Sequence, residues 1–448
     1  MISRNLYILC VLFISACGST QKLNEKSTKL TDEQLLDTVQ YHTFQYFWDG
    51  AEPVSGAGRE RFHEDNIYPQ NDKNTVATGA TGFGIMAIIS AIDRGYVSKK
   101  EGVARLNKIL NYLKTAERFH GAWPHWMIGE TGKVKPFSAK DDGGDLVETS
   151  FIAQGLICVK QYFKNGNQQE KQLSALADNL WKGIDFNWYR NGQNVLYWHW
   201  SPKNQWQMNF PVKGFNECLI MYVLGASSPT HGISKQVYDE GWAMNGKIKS
   251  PRNYKNINLQ FFHQGDAKHG GPMFWSHYSF LGLDPNGLKD NYGDFGMETK
   301  NQALINYQWC VDNPNNFKGY GANSWGLTAS YSVKGYAGHA PSEKNDLGVI
   351  APTAALSSIV YTPKESIAAM RYWYENKKDK MWGKYGFYDA FSETDNWYPK
   401  RYLGIDQGPI VVMMENYRSG LLWKLFMSDE DVQKGLKKLD FESPYLKK

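Results

Sequence analysis

Four acidic residues stand where a reaction could use them. Asp145 and Glu148 (DLVE) lie three residues apart and share one face of a predicted helix over 145–164. Glu217, in GFNEC, falls in the first turn of a predicted helix over 214–226, and Asp406, in YLGIDQGPI, stands just before another over 407–427. Asp141 and Asp142 precede the first pair, and Asp346 opens a predicted helix over 346–360. Acids at helix starts are ordinary, because they cap free N–H groups and meet the positive end of the dipole. That accounts for Asp346. It accounts less well for Glu217 and Asp406, whose neighbours are apolar and aromatic. Carboxyls crowded among aromatics suit glycoside hydrolysis, in which one carboxyl stays protonated for the leaving oxygen and another is ionised to activate water.

Aromatic residues supply the other half of such a site. The 448 residues include 16 Trp, 27 Tyr and 22 Phe, and flat amphipathic rings stack on sugars. Trp123, His125 and Trp126 in HGAWPHW, Tyr197 in YWHW, and Trp275 and His277 in FWSHY are candidate contacts. Arg59, Tyr388 and Trp397 join them, with Asp141 and Asp142. Trp181, Trp242 and Trp423 are expected in the core.

These residues need a frame. Thr31-x-x-Gln34 is a capping box opening a helix to about Trp48, and Ser98-x-x-Glu101 caps another with Val103, Leu106, Leu110 and Leu113 at helical spacing. Further helices are predicted at 79–94, 168–183, 233–243, 272–281, 296–312 and 364–376, with short strands at Val195–Trp200 and Tyr385–Phe391. About twelve helices without an internal linker predict a single all-α domain over 31–448, an (α/α)6 barrel with short β-hairpins in its loops. The acids then sit on helices four, six, ten and twelve. If the even helices form the inner wall, those acids line one mouth.

The net charge of +5, from 50 basic and 45 acidic residues, argues against nucleic acid as a partner. Leu6–Ala16 is apolar but too short to span a bilayer, and Ser15-Ala16-Cys17 resembles a lipobox. Residues 1–16 are expected to be a lipoprotein signal peptide, Cys17 the lipidated residue and 17–30 a flexible tether. The expected location is the cell envelope, periplasm-facing or at the outer membrane, with membrane contact through the lipid alone. Cys158, Cys218 and Cys310 have apolar neighbours and read as buried thiols. Metal-ligand patterns are weak: His263-x-x-Asp266-x-x-His269 is the nearest, and no metal or cofactor is expected. Gly79-x-x-Gly82-x-Gly84 reads as close helix packing rather than a nucleotide loop.

Longer motifs carry a resemblance. YGFYDAF (385–391), Trp397 and YLGIDQGPIVVMMENYRSG (402–420), with ATGATGFG (77–84), Asp93-Arg94-Gly95 and DLVETS (145–150), resemble the glucoamylase-like domain of bacterial β-1,2-glucan enzymes. The nearest likeness is glycoside hydrolase family 144, the endo-β-1,2-glucanases, over about residues 32–430. The resemblance implies an (α/α)6 barrel that cuts β-1,2-glucan internally with anomeric inversion and without a metal. It implies Glu217 as general acid, Asp406 as the water-activating carboxylate, and Asp145 and Glu148 as further acids needed for activity. A monomer acting on poly- or oligosaccharide is expected. The alternatives are a barrel hydrolase or lyase for another polysaccharide, and a non-catalytic glycan-binding lipoprotein.

Overall fold

The computed structural model describes residues 29–68 and 72–446, with the side chain of Asp266 left undescribed. The signal segment, Cys17 and most of the tether lie outside the described residues. Helices alternate between two rings. The outer ring is amphipathic: α1 (Asp32–Trp48), α3 (Lys99–Thr115) and α5 (Gln168–Lys182) each bury one stripe, which in α3 is Val103, Leu106, Ile109, Leu110 and Leu113. Both predicted capping boxes are formed. The inner ring is apolar all round. α2 (Thr78–Arg94) buries every residue from Thr78 to Ile92, α4 (Leu146–Phe163) every residue from Leu146 to Val159, and α6 (Leu219–Ser227) all of its length.

The second half keeps the alternation with shorter elements. α7 (Lys235–Val237) runs into a π-turn at Tyr238–Trp242, and 3-10 turns at Met273–Ser276 and Tyr278–Phe280 replace one predicted helix. α8 (Phe295–Asp312) is outer, while α9 (Pro352–Leu356), with a 3-10 turn to Val360, is inner. α10 (Pro363–Asn376) and α11 (Lys378–Met381) lead to the inner α12 (Gly404–Arg418), and α13 (Leu421–Met427) and α14 (Glu430–Lys438) close the chain. The architecture is an (α/α)6 barrel whose inner ring is α2, α4, α6, the 3-10 turns at 273–280, α9 and α12.

Three predicted boundaries shift. Asp346 does not open a helix; it lies in a loop, accepting from Trp309 Nε1 at 2.8 Å and Tyr320 Oη at 2.6 Å. The helix begins at Pro352, whose missing N–H costs nothing at a first turn. The predicted 407–427 helix is two helices, broken where Gly420 takes φ +69°. The third shift, at α6, moves Glu217 and is described with the site.

The α2–α4 seam is tight. A Cβ on Gly82 would lie 2.4 Å from the Phe151 carbonyl oxygen, and one on Gly155 would lie 2.7 Å from Gly82 O. The glycines are there because the backbones touch. Loops at one mouth are tied by short antiparallel ladders: 75–77 with 126–128, 144–145 with 199–200, and 61–63 with 401–403. The longer hairpins are Lys249–Tyr254 with Ile257–Phe261 and Ala329–Ser332 with Gly335–Gly338. Cys158, Cys218 and Cys310 are buried free thiols. No helix among the described residues is long and apolar enough to cross a membrane.

Candidate active site

Inner helices with shared polarity bring their N-terminal ends to one cavity of about 390 Å³. Its wall includes Ala77 before α2, Val147, Glu148 and Phe151 of α4, Glu217 before α6, Phe274 and Tyr278 of the 3-10 turns, and Ile405 of α12. Loops add Glu60, Arg61, His125, Trp126, Phe137, Trp198 and Tyr336.

Glu217 stands two residues before α6, which starts at Leu219 rather than 214. Neighbouring side chains meet the free N–H groups of this turn: Asn216 Oδ1 accepts from Cys218 N at 2.9 Å and Ser279 Oγ from Ile220 N at 3.0 Å, while Ser279 donates to Glu217 O. The Glu217 carboxyl is therefore fixed in place yet keeps one buried oxygen, Oε2, without a partner. Burial is the chief reason its pKa rises to about 7. Hydrogen bonds from its own backbone and Cys218 pull the other way, and the nearby Asp145 charge adds to the rise.

Asp145 caps α4. Oδ1 accepts from Glu148 N at 2.9 Å, and Oδ2 accepts from Trp198 Nε1 at 2.7 Å and lies 2.9 Å from His125 Nδ1. Asp141 Oδ2 lies 3.3 Å from the same nitrogen. Burial opposes a charge on His125, but Glu148, Asp141 and Asp145 together hold its pKa well above the ordinary imidazole range. Glu148 accepts from Gly79 N at 2.6 Å, taking a donor that α2, with no side-chain cap, leaves free. A Cβ on Gly79 would lie 2.6 Å from Glu148 Oε2 and 3.0 Å from the Phe151 ring, so any side chain there would push the Glu148 carboxyl aside. Burial, with Asp145 adding to it, lifts Glu148 to about 8 against the opposing pull of His125.

Asp406 lies in the first turn of α12, but Ile405 is the residue that faces the cavity. Asp406 hydrogen-bonds with the Asp389 carboxyl, and each has a buried oxygen with no other partner. Two carboxylates in one buried site cannot both ionise, so they share a proton. Burial first, and then the Asp389 charge, raise Asp406 well above the usual carboxylate range; burial raises Asp389 to about 6. Asp389 also accepts from Tyr331 N at 2.8 Å.

Among the described residues, His125, Asp141 and Asp145 form the one group whose ligand atoms lie within 4.8 Å of one another. A cation there would have to displace the proton that these carboxylates hold on His125. His263 is committed elsewhere, with Nε2 2.8 Å from Glu298 Oε1.

Several predicted contacts lie outside the cavity. Trp123 is wholly buried and donates from Nε1 to Leu113 O, so it belongs to the core. His277 is buried against Ser358 and held neutral by desolvation, its pKa near 3. Tyr197 packs on Trp206 beneath its strand, Trp275 packs on Gly271, and Trp397 pairs with Ser392 in a loop. Tyr388 donates to Glu64, Arg59 to the Lys73 carbonyl, and Asp142 accepts from Asn204. In two motifs neighbours of the expected residues line the cavity: Trp198 beside Tyr197, and Phe274 and Tyr278 on either side of Trp275 and His277. Glu60 and Arg61 sit in the charged run RERFHED, directly after the expected contact Arg59. Asp389 lies within YGFYDAF, where the motif was the signal. Nothing in the sequence marked Phe137 or Tyr336.

A two-ring helical barrel with protonatable carboxyls and aromatic walls at its inner N-termini defines a protein of the (α/α)6 glycoside hydrolase class. A family model described as "Putative glucoamylase" matches residues 209–430. The solved endo-β-1,2-glucanase of Chitinophaga pinensis, in complex with sophorotriose and glucose, is 65% identical, with a TM-score of 0.92, over 93% of this chain and 100% of that one. The exo β-1,2-glucooligosaccharide sophorohydrolase of Parabacteroides distasonis is 43% identical over 95% of this chain, which spans 60% of that relative's length. A Talaromyces funiculosus endo-β-1,2-glucanase, 12% identical with a TM-score of 0.64, shares the fold. The chain belongs to glycoside hydrolase family 144.

Proposed function

We propose that the protein hydrolyses β-1,2-glucan internally, with inversion at the anomeric carbon. The observation that carries the reading is Glu217, a buried carboxyl that lines the cavity with Oε2 unpartnered, and whose pKa burial raises to about 7. In this reading Glu217 gives its proton to the leaving glycosidic oxygen as the C1–O bond breaks. Water attacks C1 from the opposite face, and its proton passes to Asp406, directly or through a substrate hydroxyl. Asp406 is competent when the proton shared with Asp389 sits on Asp389. Glu148, Asp145 and Asp141 fix His125 against the bound sugar, and Trp126, Trp198, Phe274 and Tyr278 wall the ring.

The Chitinophaga likeness supports internal cleavage, since the chain covers the whole of that enzyme. The Parabacteroides likeness supports a second reading, the release of a disaccharide from one chain end. Incubation with linear β-1,2-, β-1,3-, β-1,4- and α-1,4-glucans tests the substrate class. Early products of mixed length favour internal cleavage, and disaccharide alone favours the second reading. NMR of the first product reads the anomer, and a β-anomer refutes inversion.

The sequence of residues 6–17 supports a further proposal, that the mature protein is held in the cell envelope by lipid on Cys17. Membrane fractionation of Cys17→Ala tests it, and unchanged partition into membranes refutes it.

A further inference from the structure

Beyond the cleft the wall carries a second depression of about 260 Å³, lined by Asn187, Trp188, Arg190, Asn191, Gly192 and Trp206. Trp188 is 38% exposed, yet it is held firmly. His120 stacks on it with centroids 3.6 Å apart, Trp200 meets it edge-on at 5.7 Å, and Trp206 stands 6.3 Å away, tilted by 32°. A large apolar ring whose motion is already restricted loses little further entropy when a ligand covers it.

The depression offers shape, amides and one cation, Arg190, held in place by neutral acceptors. Arg190 spends Nε on Gln193 O, Nη1 on Asn187 Oδ1 and Nη2 on Asn194 Oδ1. Burial lowers the pKa of His120, with Asp185 opposing, so this ring is neutral near pH 7. Flat aromatic surface beside amides and a guanidinium with N–H groups to spare, and with no carboxylate in the lining, suits a polyhydroxylated ring.

The depression also adjoins the cleft. Along 197–201, Tyr197, His199 and Ser201 are buried, while Trp198 and Trp200 are half-buried. The two-residue period of an extended strand puts both tryptophans on one side, about 6.6 Å apart along the chain. Trp198 walls the cleft, and Trp200 packs against Trp188. Six aromatic residues are exposed among the described residues: Tyr41, Phe137, Trp188, Phe210, Tyr336 and Tyr417. Phe137 and Tyr336 line the cleft, Phe210 packs on Trp198, and Trp188 lines the depression, so four of the six belong to the cleft, its wall or the depression.

We infer that Trp188 and Trp206, with Asn187 and Asn191, form a distal carbohydrate site that holds the glucan chain where it leaves the cleft. The inference rests on the glucan reading above. It is tested by affinity electrophoresis in gels containing linear β-1,2-glucan, with the Glu217→Gln protein as parent so that the polymer survives. Adding Trp188→Ala should weaken retardation about five- to tenfold, adding Trp206→Ala should weaken it less, and Trp188→Phe should recover most of the loss. A parent that is not retarded overturns the glucan reading and this site with it. A retarded parent matched by an equally retarded, cooperatively melting Trp188→Ala protein overturns the distal site alone. If Trp188→Ala does not melt cooperatively, Trp206→Ala decides, and unchanged retardation overturns the site.

Discussion

Replacing Glu217 by Gln should make the protein less active and, at high pH, more stable. A folded pKa near 7, against about 4.5 in the unfolded chain, means that the native state binds more protons between those values. Stability is then lost as pH rises through that window. Each unit corresponds to about 1.4 kcal/mol, so by pH 8.5 the buried carboxylate costs about 3 kcal/mol, and at pH 5 less than about 1 kcal/mol. Glutamine carries no such cost at either pH. With an unfolding entropy of about 2 cal/mol/K per residue, the variant's Tm advantage over wild type should be about 3 °C larger at pH 8.5 than at pH 5. Paired calorimetric scans at the two pH values read this difference. Glucan turnover should fall by orders of magnitude and recover on a substrate whose leaving group needs no proton. An advantage that does not change with pH would show that the carboxyl is not held in a desolvating site, and the argument for it as proton donor would fail.

Asp389→Asn removes the charge that raises Asp406, so the acidic limb of the kcat/KM–pH profile should move to lower pH; an unmoved limb would make Asp389 a packing residue. Gly79→Ala drives a methyl against Glu148, and kcat should drop at least tenfold on β-1,2-glucan; wild-type turnover would mean that Glu148 tolerates displacement. Trp123→Ala should destabilise the fold by about 3–5 kcal/mol in denaturant melts. Trp126→Ala should instead raise KM while changing the midpoint much less, and the reverse pattern would exchange their places.

The first half of the barrel was legible because its helices are long, capped and regularly patterned. Thr31, Ser98 and the stripe of α3 announce themselves. The second half was blurred where tertiary contacts replace helical regularity: Ser279 and Asn216 satisfy the turn before α6, so the chain reaches Leu219 before it coils. Of the acids, Glu217, Asp145 and Glu148 were legible from apolar surroundings and spacing. Asp389 was not, because its partner is 17 residues away and only the fold joins them. Within each aromatic motif the sequence marked the segment but not the phase. Trp123 and Trp126 look alike in HGAWPHW, and what separates them is that Trp123 reaches the Leu113 carbonyl on α3.

The protonated carboxyls have a consequence for how the cleft meets salt. Near pH 6.5, Glu217, Glu148 and Asp406 are held largely neutral, each raised above the ordinary carboxylate range chiefly by burial. His125 carries a charge opposite Asp141 and Asp145, and Arg61 one opposite Glu60 and Asp72. The protons held on Glu217, Glu148 and Asp406 therefore take three negative charges out of a cavity rich in acids, and leave two cations facing four carboxylates. A neutral polymer entering it releases no counter-ions, and its affinity should hold nearly constant from low to high ionic strength.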